Sequence, residues 1–229
     1  MMTAGALADT TIVFDLDGTL ADTAPDLVRA LYETLDVEGL PHPPAAQVKR
    51  LVGQGARALV ERSAAFAGVR FSAERLEQLT TAFIEFYRAD IAAGSTLYPG
   101  CREALRDLAE DGAKLVVCTN KRTDLAVRLL TALKIETRFS AIVGADAVAE
   151  RKPHPDHYRA AVSRAGGVVR RSLMVGDSAA DVGAARGAGA PVIVVRFGYA
   201  DDAPERLGAD ALLSRYDELP RLARGLLLP

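Results

Sequence analysis

The sequence predicts an α/β fold in which a parallel sheet is flanked by helices and interrupted, after its first strand, by an all-helical insert. Three observations predict it. Short apolar runs recur along the chain, of the kind that suits strands buried on both faces. Helical segments lie between most of them, as right-handed crossovers between parallel strands require. One long stretch, residues 22–92, holds no convincing run of that kind.

The first run, Thr11–Phe14, is β-branched and aromatic, and Asp15-Leu16-Asp17-Gly18-Thr19 follows at once. In the insert, Pro25 stands near a helix start and Leu27, Leu31 and Leu35 recur every four residues. Leu40-Pro41-His42-Pro43-Pro44 is a stiff connector, and Leu59, Val60 and Phe66 belong to another helical pattern. Ser72 is placed to cap a long helix carrying Leu76, Leu79, Phe83, Phe86 and Tyr87. With Phe66 and Tyr32, these aromatic residues imply a small core belonging to the insert itself. Beyond it, Cys101–Glu110 puts Leu105 and Leu108 on one face and leads to the run Lys114–Cys118. Thr123–Leu133, with Leu125, Leu129 and Leu130, leads to Ala141–Val143. The Ala-rich segments His157–Ala165 and Ala179–Gly187 end near glycine, a common helix stop, and alternate with Leu173–Val175 and Val192–Val195.

Length and composition fit this layout. The chain has 229 residues, about one and a half domains at ~150 residues each. The expected division is an α/β core of residues 1–21 and 93–229 and a helical cap of residues 22–92. Lys+Arg total 28 against 30 Asp+Glu, a net charge of -2, which argues against a broad basic surface for nucleic acid. Cys101 and Cys118 are too few for a disulfide framework. No apolar run approaches the ~20 residues of a membrane helix. Met1–Thr10 lacks the basic start and apolar centre of a signal peptide. A reducing, cytoplasmic setting is the expectation.

The chemistry gathers at strand ends. Asp15 and Asp17 close the first strand, and Asp177 and Asp181 follow another in Val175-Gly176-Asp177-Ser178-Ala179-Ala180-Asp181. Ligands of open parallel sheets bind beyond the carboxyl ends of strands. Several carboxylates there repel one another unless a cation is present or some are protonated. An all-oxygen set with no paired His or Cys suits a hard ion, Mg²⁺, which prefers few protein ligands together with water and phosphate. Thr119-Asn120 ends one further strand and Lys152 follows another, supplying a hydroxyl, an amide and an ammonium for phosphate oxygens. Each of these residues alone reads as a turn, a helix cap or a solvated charge; their co-occurrence at four strand ends does not.

Asp15-Leu16-Asp17-Gly18-Thr19-Leu20, Thr119, Lys152 and Asp177 with Asp181 resemble, in order and spacing, the motifs of the haloacid dehalogenase superfamily. The resemblance implies a Rossmann-like core and a helical cap inserted after the first motif. It implies that Asp15 is a nucleophile forming an aspartyl-phosphate and Asp17 the general acid and base. It implies that Asp15, Asp177 and the Asp17 backbone carbonyl hold Mg²⁺. Asp181 would orient Lys152 or a metal-bound water, or ligate the metal itself. Gly18, Thr119, Asn120 and Lys152 would meet the phosphoryl group. Asp17 disfavours dehalogenation, which needs no acid for a halide. Lys49, the insert's one lysine, is expected to be a solvated charge, although phosphonate-cleaving relatives use a cap lysine.

Further segments narrow the resemblance to the phosphoglycolate phosphatases: Asp22-Thr23-Ala24-Pro25-Asp26-Leu27, Leu51-Val52-Gly53-Gln54-Gly55, Leu97-Tyr98-Pro99-Gly100, Thr119-Asn120-Lys121, Lys152-Pro153-His154-Pro155-Asp156 and Phe197-Gly198-Tyr199. His157, where proline is frequent, and Gly187, where alanine is usual, depart from the pattern. The implied partner is a small phosphorylated metabolite, with 2-phosphoglycolate first. A phosphosugar mutase, which shares every core motif, or a phosphatase of another sugar phosphate is the alternative; a non-enzymatic phosphate-binding module would predict a broken acidic set. Gly53 and Gly55 either let a loop fold over the site, with Arg57 near enough to meet a substrate carboxylate, or form a plain helix–helix turn with Arg57 exposed. His154 is expected to support the Lys152 turn, and a lowered thiol pKa is conceivable at Cys101, which begins a helix.

Overall fold

The computed structural model describes residues 5–199 and 202–228; Met1–Ala4, part of the expected leader-free start, lie outside them. Its main sheet has six strands, all parallel, in the order β5-β4-β1-β6-β7-β8. They are β1 (Thr11–Phe14), β4 (Lys114–Cys118), β5 (Ala141–Val143), β6 (Ser172–Gly176), β7 (Val192–Val195) and β8 (Ala211–Leu213). A separate antiparallel pair, β2 (Ala21–Asp22) with β3 (Thr96–Leu97), joins the two chain crossings that bound the insert.

Both faces of the sheet are covered, which is why its strands are apolar without alternation. Val13, Val116, Met174, Val192 and Val194 pack with Tyr158, Ala161 and Val162 of α7 (Pro155–Arg164) and Ala184 and Ala185 of α8 (Ala179–Ala188). On the other face, Ile12, Phe14, Leu115, Val117, Leu173 and Val175 meet α5 (Cys101–Glu110), α6 (Thr123–Ala132) and α9 (Leu219–Leu227). Gly187 has a packing reason: a Cβ there would lie 3.2 Å from the Pro155 ring, so α8 sits unusually close to the start of α7.

The insert consists of α1 (Ala24–Asp36), α2 (Ala45–Leu51), α3 (Ala56–Phe66) and α4 (Ala73–Ala89). Ser72 caps α4 as expected, its hydroxyl accepting from Arg75 N–H at 3.2 Å. Its core is not its own, however. Leu27, Leu31, Phe83 and Tyr87 belong to one buried cluster with Phe14, Leu125 and the rest of that sheet face. Phe66 stands outside it, 48% exposed at the end of α3. The short elements α2, β2, β3 and β8 and the terminal α9 were not expected.

Asp26, in the first turn of α1, ties the insert to the returning chain. Its buried carboxylate accepts from Gly94 N–H at 3.0 Å, Ser95 N–H at 2.8 Å and Ser95 Oγ at 2.5 Å. Asp26→Ala would strand these donors beside the crossing. We expect a loss of about 3 kcal/mol, seen as a melting temperature lower by roughly 8 °C; an unchanged melt would mean that water replaces the carboxylate at no cost.

Candidate active site

Strand register brings the acidic motifs together. Phe14 is level with Val117 on one side and Val175 on the other. Asp15, Thr119 and Asp177 therefore leave the sheet at the same carboxyl edge, and Asp15 N–H still donates to Val175 O at 2.9 Å.

Lys152 lies between two of the acids. Its Nζ is 2.8 Å from Asp15 Oδ1 and 2.6 Å from Asp181 Oδ1, with all three side chains buried. Carboxylate oxygens of Asp15, Asp177 and Asp181 lie within 4.8 Å of one another. One ammonium offsets one of those charges. Burial, with Asp181 and Asp17 adding repulsion, raises Asp15 to about 6 despite the pull of Lys152. Burial, then Asp181 and Asp15, holds Asp177 well above the usual carboxylate range. Burial alone would lower Lys152, but the charges of Asp15 and Asp181 overcome it and raise it.

This set fits a hard divalent cation. The donors are all oxygen, negative charge is in excess, and the buried Asp15 Oδ1, although in ion-pair contact, has no hydrogen-bond partner. Asp181 is the least available. Its Oδ1 accepts from Lys152, and its Oδ2 accepts from Asp177 N–H at 3.2 Å, Ser178 N–H at 3.0 Å and Ser178 Oγ at 2.7 Å. The Ser178 N–H bond belongs to the capping box of α8, and together these contacts occupy both Asp181 oxygens. Asp177 Oδ2 accepts from Tyr199 N–H at 2.6 Å. The same atom explains Gly18: with φ at +80°, a Cβ there would meet Asp177 Oδ2 at 2.4 Å. Glycine is thus required by Asp177 as well as by any close approach of phosphate.

Asp17 faces the insert. Its Oδ1 accepts from Thr23 Oγ1 at 2.7 Å, and its Oδ2 is 2.9 Å from Lys121 Nζ, which lies 4.6 Å from the Tyr87 ring centre. Nearby, Tyr199 Oη donates to Asp22 Oδ1 at 2.5 Å and accepts from Thr23 N–H at 2.6 Å. Lys49 is not simply solvated: its Nζ is 4.7 Å above the Tyr199 ring and 3.8 Å from Asp22 Oδ2. Thr23, Lys121 and Tyr199 stood in segments that carried the family resemblance, but only folding reveals what they touch.

Thr119 is buried, and its Oγ1 accepts from Lys121 N–H at 3.2 Å. The Asn120 side chain is differently employed. Its Nδ2 donates to Gly53 O in the α2–α3 loop at 3.0 Å and to Lys152 O at 3.1 Å, so it straps insert to core. Gly53 lines a ≈ 80 Å³ cavity with Asp17 and Lys121, and a ≈ 280 Å³ cavity with Asp177 and Tyr199. The glycine turn between α2 and α3 therefore lies over the acidic edge. Arg57 is not brought in. It sits on the outer face of α3, paired with Glu77 at 3.0 Å, and lines neither cavity.

The Lys152 turn is closed by His154, whose N–H donates to Arg151 O at 2.9 Å as expected, and is also held by the His157 side chain. His154 is exposed and caps α7, its Nδ1 accepting from Asp156 N–H at 3.3 Å. The buried His157 ring accepts from Lys152 N–H through Nδ1 at 3.2 Å and donates through Nε2 to Val143 O at 3.1 Å, the tautomer these partners dictate. Cys101 is buried, and that burial pushes its thiol up to about 12, against the expectation for a helix start. Cys118 is packed in β4 as expected.

A family model for haloacid dehalogenase-like hydrolases matches residues 12–195. The chain belongs to this family. Among curated relatives of this hydrolase, the phosphoglycolate phosphatase of Caulobacter vibrioides is 47% identical over 227 residues, covering 99% of this chain and 96% of that one. That of Agrobacterium fabrum is 42% identical, covering 90% and 89%. A solved structure described as a predicted phosphoglycolate phosphatase from Haemophilus somnus superposes with a TM-score of 0.87 at 28% identity, covering 97% of this chain and 99% of that one. Among the described residues, no helix is long and apolar enough to cross a membrane.

The His157 network has a pH signature. Burial first, then the charge of Lys152, lowers the ring to about 4. The fold thus favours the neutral ring. That contribution is complete above the unfolded value of about 6.5 and is lost as pH falls from there through about 4. In urea unfolding, the stability advantage of wild type over His157→Gln should shrink by about 3 kcal/mol between neutral pH and pH ~4. A gap that stays constant with pH would mean that the ring titrates as in water.

Proposed function

We propose that this hydrolase is a Mg²⁺-dependent phosphatase of small phosphomonoesters, with 2-phosphoglycolate as its substrate. The observation that carries the reading is the buried contact of Lys152 with both Asp15 and Asp181, beside Asp177, at the ends of neighbouring parallel strands. An ammonium clamped in this way offers a fixed positive charge to a phosphoryl oxygen while leaving a carboxylate next to the phosphorus.

In this reading Asp15 is the nucleophile. Its carboxylate attacks phosphorus in line, and the ester oxygen leaves with a proton from Asp17. Asp17 then takes a proton from the water that hydrolyses the aspartyl-phosphate, restoring Asp15. Thr23 and Lys121 fix the Asp17 rotamer for both transfers. Thr119, the backbone of Asn120 and Gly18, and Lys152 hold the phosphoryl oxygens. Asp15, Asp177 and the Asp17 backbone carbonyl would hold Mg²⁺, which when bound supplies the positive charge that lets an anionic nucleophile meet an anionic phosphoryl group. Asp181 acts on Lys152.

Residues 22–92 serve as the cap on the core of residues 1–21 and 93–229, with the crossings near β2 and β3 as hinges. The Asn120–Gly53 bond closes that cap and excludes water until the intermediate has formed. The small cavity beside Asp17 supports a two-carbon acid over a hexose. High identity over almost the whole length of phosphoglycolate phosphatases supports the same substrate. The two free, buried cysteines suit action in a reducing cytoplasm.

Asp15→Asn should lower Mg²⁺-dependent phosphate release from 2-phosphoglycolate by more than about a thousandfold, with circular dichroism and melting behaviour retained. Folded protein with near-normal turnover would rule out Asp15 as the nucleophile. Chelation of divalent cations should stop the wild-type enzyme and restored Mg²⁺ should recover it; full activity in chelator would rule out the metal.

A further inference from the structure

The cavity between α1, α3, α4 and the end of β4 is apolar over most of its wall: Leu27, Leu51, Leu59, Phe83 and Leu125 line it. Against that wall stands the buried ammonium of Lys121. Placing a cation on an apolar surface is costly unless its donors are used. A lysine has three N–H donors. Those of Lys121 meet one carboxylate oxygen, Asp17 Oδ2 at 2.9 Å, and the face of the Tyr87 ring, which leaves donor capacity towards the cavity. The other cation on the wall, Arg122, is already paired with Asp124 at 3.0 Å. The space is ≈ 80 Å³, room for a group of a few heavy atoms.

Asp17 forms one end of this cavity. In the proposed reaction Asp17 meets the leaving oxygen, so whatever that oxygen carries extends along the wall past Lys121. We infer that Lys121 is the specificity-determining residue: its ammonium binds a carboxylate borne one carbon from the leaving oxygen, and the apolar wall rejects a neutral polar group in its place. The inference rests on the phosphatase reading and adds to it a residue that selects the organic part of the substrate. A cavity of this size beside Asp17 suits the short acid group of a phosphorylated hydroxy acid.

The test compares kcat/KM for 2-phosphoglycolate with that for 2-hydroxyethyl phosphate, in which a neutral CH₂OH replaces the carboxylate. Wild type should prefer the acid, and Lys121→Gln should reduce that preference by about 10- to 100-fold. Because both substrates need Asp17, a purely positioning role for Lys121 would lower both rates by one common factor and leave the ratio unchanged; that result overturns the inference alone. A wild-type ratio near one overturns the inference together with the substrate reading. A test without a variant guards against misfolding. Glycolate should inhibit wild-type turnover at a concentration at least about tenfold lower than glycolamide, and equal inhibition overturns the inference.

Discussion

The buried ammonium of Lys152, shared between Asp15 and Asp181, is the contact on which the acidic edge of this protein depends. Removing three carboxylates and one ammonium from water is expensive, and their attraction repays it only if geometry and hydrogen bonds are complete. The fold meets these conditions at Asp181, Asp177 and Lys152 but leaves the buried Asp15 Oδ1 without a hydrogen-bond partner. Asp181 is fixed by the capping box of α8, Asp177 by the Tyr199 backbone, and Lys152 by a histidine that holds its own N–H. What stays uncompensated is negative charge around Asp15 and Asp177, an excess that suits a divalent cation.

The second centre is Asp17, and its supports come from both sides of the insert boundary. Thr23 opens α1, Tyr87 ends α4, and Lys121 follows β4. Residues from the insert and the core therefore surround the same carboxylate. Together with the Asn120 strap to Gly53, this makes the pose of the insert and the completeness of the site one property rather than two. Movement of the α2–α3 loop would break the strap and open the cavity that holds Lys121.

Much of this was legible in the sequence because it rests on local signals. The runs Thr11–Phe14, Lys114–Cys118 and Val192–Val195 became strands with those bounds, since doubly buried strands need continuous apolar residues. Asp15, Asp177 and Lys152 were recognisable because strand ends concentrate ligands and the motif order is distinctive. Less legible were features that arise only from distant contacts. The histidine facing Lys152 could not be chosen between His154 and His157 by spacing. Arg57 looked suitable by proximity in sequence, but the helical phase of α3 turns it to solvent and to Glu77. Lys121 read as one member of a triplet until β4 and α4 brought it against Asp17 and Tyr87. Strands as short as β2, β3 and β8 carry too few residues for any periodicity to register.

The central claim is that Asp15 forms a covalent bond to phosphorus while Asp17 handles the protons. Acid quenching of Asp17→Asn after brief exposure to ³²P-labelled 2-phosphoglycolate and Mg²⁺, followed by peptide mapping, tests it most directly. The account predicts label on the peptide containing Asp15, released by hydroxylamine as expected of an acyl phosphate. Phosphate released in that first turnover without any label on the protein, or label resting on another side chain, would contradict it.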